Sequence, residues 1–306
     1  MAHDVARAGS APRPGAVCRL APGIRRVVAP NPSPMTLWGT NTYLIGTGRV
    51  AVIDPGPDDP AHLAALRAAL GPAERITHIL VTHTHLDHSP LAARLSRETG
   101  APVFGFGATG DGRSPVMRAL AANGLSAGGE GADMAFSPDE RLRDGDVVQG
   151  GDWSLTAIWT PGHMSNHLCF ALEDHVLTGD HVMGWASSLI SPPDGDMGAY
   201  MESLDRLQAG AAAGFYPGHG PPIEAPQTRI AELRAHRRAR EVQILDALAR
   251  GAADAADLAQ RIYTDTDAAL LPAATRNVFA HLIDLAARGR VRPSAPGSAD
   301  EVFALR

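Results

Sequence analysis

Apolar residues in the first part of the chain come in short β-branched runs punctuated by glycine and proline: GIRRVVAP at 23–30, NTYLIG at 41–46 and RVAVIDPG at 49–56. Runs of this kind predict three consecutive strands of a first sheet. The period then lengthens. AHLAALRAAL at 61–70 predicts a helix, and ITHILV at 76–81 returns to a buried strand. LAARL at 91–95 predicts a second helix with Ser89 as N-cap and Pro90 as its first residue. Strand-like runs recur at LTAIW (155–159), HVL (175–177) and GFY (214–216).

Between Gly105 and Gly150 the apolar periodicity fades, and glycine, serine and acidic residues gather around GLSAGGEGADMAF. A long loop with a short helix is predicted there, of the kind that carries function on a rigid scaffold. A second insertion, HVMGWASSLISPPDGDMGAY at 181–200, offers Met183 and Trp185 as rim or core contacts and Tyr200 as a packing anchor. From Gln227 to Leu248 the pattern is a long amphipathic helix. Its Arg234, Arg237, Arg238 and Arg240, interleaved with Glu232 and Glu241, predict a solvated face. A short helix (255–263), a helix at 275–289 closed by Gly289, and two short strands around a Pro/Gly turn (291–305) complete a winged-helix order. The organisation is therefore a flexible lead-in (1–19), a main domain (20–225) and a small helical domain (226–306).

Chemistry concentrates in THTHLDHSP at 82–90, where His83, His85, Asp87 and His88 occupy six residues directly after an apolar run. Residues i and i+2 cannot share one face of a helix, so a strand end or loop must aim His83 and His85. Imidazole and carboxylate are the usual ligands of zinc and of neighbouring first-row metals. One turn supplies too few ligands, and four further polar groups follow apolar runs: Asp54, His163, Asp180 and His219. Each stands beside glycine, as on a tight turn.

This ordered set resembles the metallo-β-lactamase-fold hydrolases, with an aspartate after an early strand, then HxHxDH, then His, Asp and His after later strands. The resemblance spans about residues 20–223. It implies an α/β fold, an αββα sandwich, with a two-metal centre in a cleft at one edge of the sheets. Carried over by position, His83, His85 and His163 would bind one metal, Asp87, His88 and His219 the second, and Asp180 both. Asp54 would brace the ligand loop, and Asp87 would also orient the attacking hydroxide as the catalytic residue. Pro90 and Leu91 replace a glycine pair frequent in the family, which bears on loop shape. GTNTYLIG, YPGHGPPI and RAHRRAREVQIL resemble more narrowly the lactamase-beta-like protein 2 subgroup of endoribonucleases, which carry a C-terminal winged-helix-like domain. His167 reads as a structural neighbour of the ligands and His181 as ambiguous. His62, His78, His236 and His281 read as solvated or locally hydrogen-bonded.

Two divalent ions, Zn2+ first with Mn2+ or Fe2+ as alternatives, would share a hydroxide and polarise the attacked carbonyl or phosphoryl oxygen. No side-chain nucleophile is needed, and Cys18 and Cys169 sit in no motif. The chain has no lysine, since all 27 basic residues are arginine, which excludes Schiff-base and Walker-type lysine chemistry. Two distant cysteines, no export-type N-terminus and no stretch long enough to span a bilayer predict a cytoplasmic protein without membrane partners. Residues 226–306 hold 12 arginines and 10 acids, whereas residues 1–225 hold 15 arginines and 23 acids, a balance of −8. That field opposes a polyanion. The leading expectation is hydrolysis of a small ester, thioester, lactone or related acyl substrate, with an endoribonuclease on single-stranded RNA as the alternative. A persulfide dioxygenase, a β-lactamase and a DNA-binding protein rank below these, and homo-oligomers remain open.

Overall fold

The computed structural model describes residues 9–126, 131–294 and 301–306. Strands β1 (Val17–Ala21), β2 (Ile24–Val28), β3 (Asn41–Ile45), β4 (Arg49–Ile53), β5 (Arg75–Leu80), β6 (Val103–Gly105) and β7 (Glu140–Arg141) form one sheet in that order. A second sheet has the order β12-β11-β10-β9-β8, with β8 (Val147–Gln149), β9 (Ser154–Trp159), β10 (Leu168–Leu172), β11 (His175–Gly179) and β12 (Gly214–Pro217).

Strand alternation builds the layers. In β3 and β4, Tyr43, Ile45, Ala51 and Ile53 face the second sheet, where they meet Leu155, Ala157, Phe170 and Leu177. Their neighbours Leu44, Val50 and Val52 point the other way. They pack on Leu63 and Leu66 of α1 (Pro60–Ala68) and on Leu91 and Leu95 of α2 (Leu91–Thr99). Behind the second sheet, Cys169, Val176 and Phe215 pack on Tyr200 and Leu204 of α4 (Met197–Ala209) and on Ile230 and Leu233 of α5 (Pro226–Leu248). The result is the expected αββα sandwich. Each fully buried Leu or Phe in these layers contributes about 1.5–3 kcal/mol.

The C-terminal unit consists of the far half of α5, α6 (Ala255–Ile262), α7 (Leu271–Ala287) and the antiparallel pair β13 (Val291–Pro293) and β14 (Phe303–Leu305). The predicted Pro/Gly turn between these strands lies at 295–300, outside the described residues. Ile244 and Leu248 join Leu258, Val278, Leu282 and Phe303 in its core. That core also receives Met117 and Leu120 of α3 (Pro115–Ala122), the short helix of the 105–150 insertion. One long helix and one insertion thus knit the two units together.

Three local expectations need correction. Ser89 does not cap α2. The N-cap position is Pro90, without a side-chain cap, and the Ser89 hydroxyl donates to Asp133 Oδ2 (2.8 Å). Helix α7 starts at Leu271, four residues before the predicted start, and its C-cap is Arg288, with Gly289 in the left-handed region just beyond (φ 69°). Arg237 is not on a solvated face but buried, whereas Arg238 is exposed as expected.

Candidate metal centre

Strand direction brings the predicted residues together. β4 and β5 are parallel, β11 and β12 are parallel, and β9 points the same way as β11 because both are antiparallel to β10. The C-terminal ends of β4, β5, β9, β11 and β12 therefore meet at one edge, and Asp54, the 83–88 turn, His163, Asp180 and His219 all follow those ends.

Two groups of buried donors result, His83 with His85, His163 and Asp180, and Asp87 with His88 and His219. His85 Nδ1 lies 3.0 Å from His83 Nε2 and 3.1 Å from His163 Nε2. His88 Nε2 and His219 Nε2 are 3.3 Å apart, and Asp87 Oδ2 is 3.3 and 3.2 Å from them. Asp180 reaches both groups, with its oxygens 3.7 Å from His163 Nε2, 3.2 Å from His219 Nε2 and 3.5 Å from His88 Nε2.

The nitrogens are aimed from behind. Asp54, with a left-handed backbone (φ 51°), accepts from the Thr82 amide (2.7 Å), the Thr82 hydroxyl (2.8 Å) and His88 Nδ1 (2.9 Å). With its proton given to Asp54, the Thr82 hydroxyl accepts from His83 Nδ1 (3.0 Å). His163 Nδ1 donates to the Leu189 carbonyl (2.7 Å), and His219 Nδ1 to that of Gly39 (3.2 Å). Each of these rings so presents Nε2 to the centre. The His219 loop is itself held by β3: Asn41 Nδ2 donates to the Pro217 and Gly220 carbonyls (both 2.9 Å), and Tyr43 donates to Pro217 (2.6 Å).

Charge divides between the groups. Burial, with neighbouring imidazoles, holds His83 well below the usual histidine value and His85 at about 3, and burial also lowers His163. His88 and His219 go the other way. Burial opposes their charge, but Asp87 and Asp180 outweigh it, aided at His88 by Asp54, lifting His88 well above the ordinary range and His219 to about 10. Burial resists ionisation of Asp87 and Asp180 too, and the facing imidazoles hold both carboxyls well below the usual range.

A divalent cation fits this donor set. Ring nitrogens about 3 Å apart with lone pairs converging repel unless a proton or a cation lies between them, and two nitrogens on one zinc at ~2.0–2.1 Å stand roughly 3.3 Å apart. One oxygen each of Asp87 and Asp180 is buried without a hydrogen-bond partner, unmet acceptors in a site that a cation would neutralise.

The other histidines sit elsewhere. His167 accepts from the Asp180 amide at Nε2 (3.2 Å) and donates to Thr160 (2.9 Å), so it supports Asp180 and is itself fully buried. His181 is packed between the rings of His167 and Tyr200. His78 contacts its neighbour Thr77 (2.9 Å). The local or solvated reading fails for His62, whose ring pairs with a distant strand, and for His281, which is buried with neither ring nitrogen hydrogen-bonded among the described residues. His62 Nε2 pairs with Thr42 of β3 (2.8 Å). Met183 and Trp185 form a small buried cluster, and Tyr200 is fully buried.

Sequence reading passed over Thr40, Thr82 and Leu189. Thr40 donates to Asp87 Oδ2 (3.0 Å). Thr82 could have been noticed as the polar residue between the β5 run and His83. Leu189 acts through its carbonyl, which no residue type announces.

The metallo-beta-lactamase superfamily model matches residues 35–219, and the beta-lactamase associated winged helix domain model matches 255–296. The chain belongs to the metallo-beta-lactamase superfamily, with the associated winged helix domain at its C-terminal end. It is 33% identical over 300 residues to the Beta-lactamase-like protein 2 homolog of Drosophila melanogaster, covering 94% of this chain and 95% of that protein. It is 32% identical over 277 residues to the atrochrysone carboxyl ACP thioesterase of Aspergillus fumigatus, covering 84% and 79%. Among solved structures, a metallo-beta-lactamase family protein from Thermus thermophilus superposes with a TM-score of 0.75 at 26% identity, covering 94% of this chain and all of that one.

Proposed function

We propose that this chain is a two-metal hydrolase of small acyl esters or thioesters, with residues 20–225 as the catalytic unit and 226–306 as a helical unit packed on it. The observation that carries the reading is the placement of Asp180 within reach of both donor groups, His83, His85 and His163 on one side and Asp87, His88 and His219 on the other. Two bound divalent ions would supply a hydroxide at neutral pH and polarise the acyl carbonyl. The chain's own part is positioning. Thr40 holds Asp87, the three carbonyl and carboxylate acceptors fix the imidazole tautomers, and buried surroundings strengthen every charge interaction at the centre.

Two features favour an acyl substrate. Leu86, between His85 and Asp87, is 46% exposed, and Met134, two residues from the Ala132 that bridges to His85, is 77% exposed, so large apolar side chains stand open to solvent close in the chain to the centre. The thioesterase among the relatives acts on an acyl thioester. The −8 balance of residues 1–225 counts against RNA. The test sets a panel of acyl thioesters and esters beside an unstructured RNA oligomer. Thioester turnover that His163→Ala lowers by at least ~10²-fold is expected; RNA cutting lost in His163→Ala, with thioesters left intact by the wild type, overturns the acyl reading.

A further inference from the structure

Arg237 of α5 is only 2% exposed, and among the described residues its hydrogen-bond partners are neutral. Nη2 donates to the Ser188 carbonyl and Nη1 to Asn277 Oδ1 of α7 (3.2 Å), while the guanidinium lies 5.2 Å over the Tyr200 ring. Burying a charge on such terms is costly. Its position shows what the cost secures.

Asn277 Oδ1, also buried, accepts a second bond from the Ile190 amide (3.0 Å). Two side chains of the helical unit thus grip the flanks of the tripeptide Ser188–Leu189–Ile190. The Ser188 hydroxyl shares its one proton between the carbonyls of Asp180 (2.6 Å) and His181 (3.0 Å). The carbonyl in the middle, Leu189 O, is the one that receives His163 Nδ1.

We propose that Arg237 and Asn277 are positioning residues of the metal centre: by clamping residues 188–190 they hold the Leu189 carbonyl, which fixes the tautomer and aim of His163. The C-terminal unit would then complete the centre from outside the sandwich. This rests on His163 being a metal ligand. The clamp itself is independent of which bond the enzyme breaks.

The test titrates the metal-free full chain with Co(II) against a chromophoric chelator and records the visible ligand-field spectrum. Arg237→Met and Asn277→Leu are expected to weaken Co(II) binding at the site His163 serves by about 10–100-fold, the usual effect of losing a group that orients a ligand, and to change its spectrum. The double variant should be little worse than the weaker single, because both act through one carbonyl. Arg240→Met is the control. It removes a neighbouring arginine that lies 3.9 Å over the Tyr263 ring and does not reach the clamp, so Co(II) affinity should stay within twofold.

Asn277→Ala, a smaller change, is the second variant should Arg237→Met not fold. Nitrogen NMR of the metal-free chain reads the His163 tautomer directly, expected as Nδ1–H in wild type and mixed in the variants. Folded variants that bind Co(II) as tightly as wild type, or an Arg240→Met loss as large as theirs, overturn the clamp alone. A wild-type chain that takes up no Co(II) overturns the ligand assignment and the clamp with it.

Discussion

Asp54 never reaches the donor atoms of the centre, yet three bonds from its carboxylate set Thr82 and His88. Asp54→Asn keeps a residue that tolerates the left-handed backbone but exchanges an acceptor oxygen for an amide. We expect a ~10–100-fold loss of metal affinity by chelator competition, and unchanged affinity would refute the bracing role. His62 makes a second prediction. Burial lowers its pKa to about 4 from the ordinary 6.5, so the folded state binds its proton later than the unfolded one. Its contribution is present above pH ~6.5 and is lost as pH falls towards 4, roughly 3 kcal/mol in all. Denaturant unfolding of His62→Gln should show a correspondingly shallower loss across that window; identical slopes would count against it. The donor residues were legible because each follows an apolar run. Leu189 and Gly39 were not, since every residue has a carbonyl, and Arg237 was hidden among the charges of RAHRRAR.

At the scale of elements, the period-2 runs announced the strands, and pairing direction did what no single run could tell: it sent five strand ends to one edge. The PGHG loop after β12 illustrates the tolerance. A Cβ on Gly218 would lie 2.3 Å from Asp180 Oδ1 and 2.8 Å from His88 Cε1. Gly218→Ala should therefore cost at least ~10²-fold in activity and lower metal occupancy while the far-UV spectrum stays native, and full activity would show that the loop yields. The start of α2 was misread because Ser89 and Pro90 imitate a cap and first residue. Ser89 instead ties the 83–88 turn to Asp133, a partner 44 residues away.

For the whole molecule, the order of helices and hairpin in 226–306 was readable, but its attachment was not, because Met117 and Leu120 enter its core from a distant insertion. This sharing predicts one unfolding transition. All four tryptophans precede residue 226, while α5 and α7 are the longest helices, 23 and 17 residues. Tryptophan fluorescence and far-UV circular dichroism should melt together, and separated midpoints would show two independent units. The central claim is a centre for two metals, and elemental analysis of the chain saturated with metal and freed of excess tests it most directly. Two ions per wild-type chain, falling to one in His219→Ala, is the predicted result; one ion per saturated wild-type chain would contradict it.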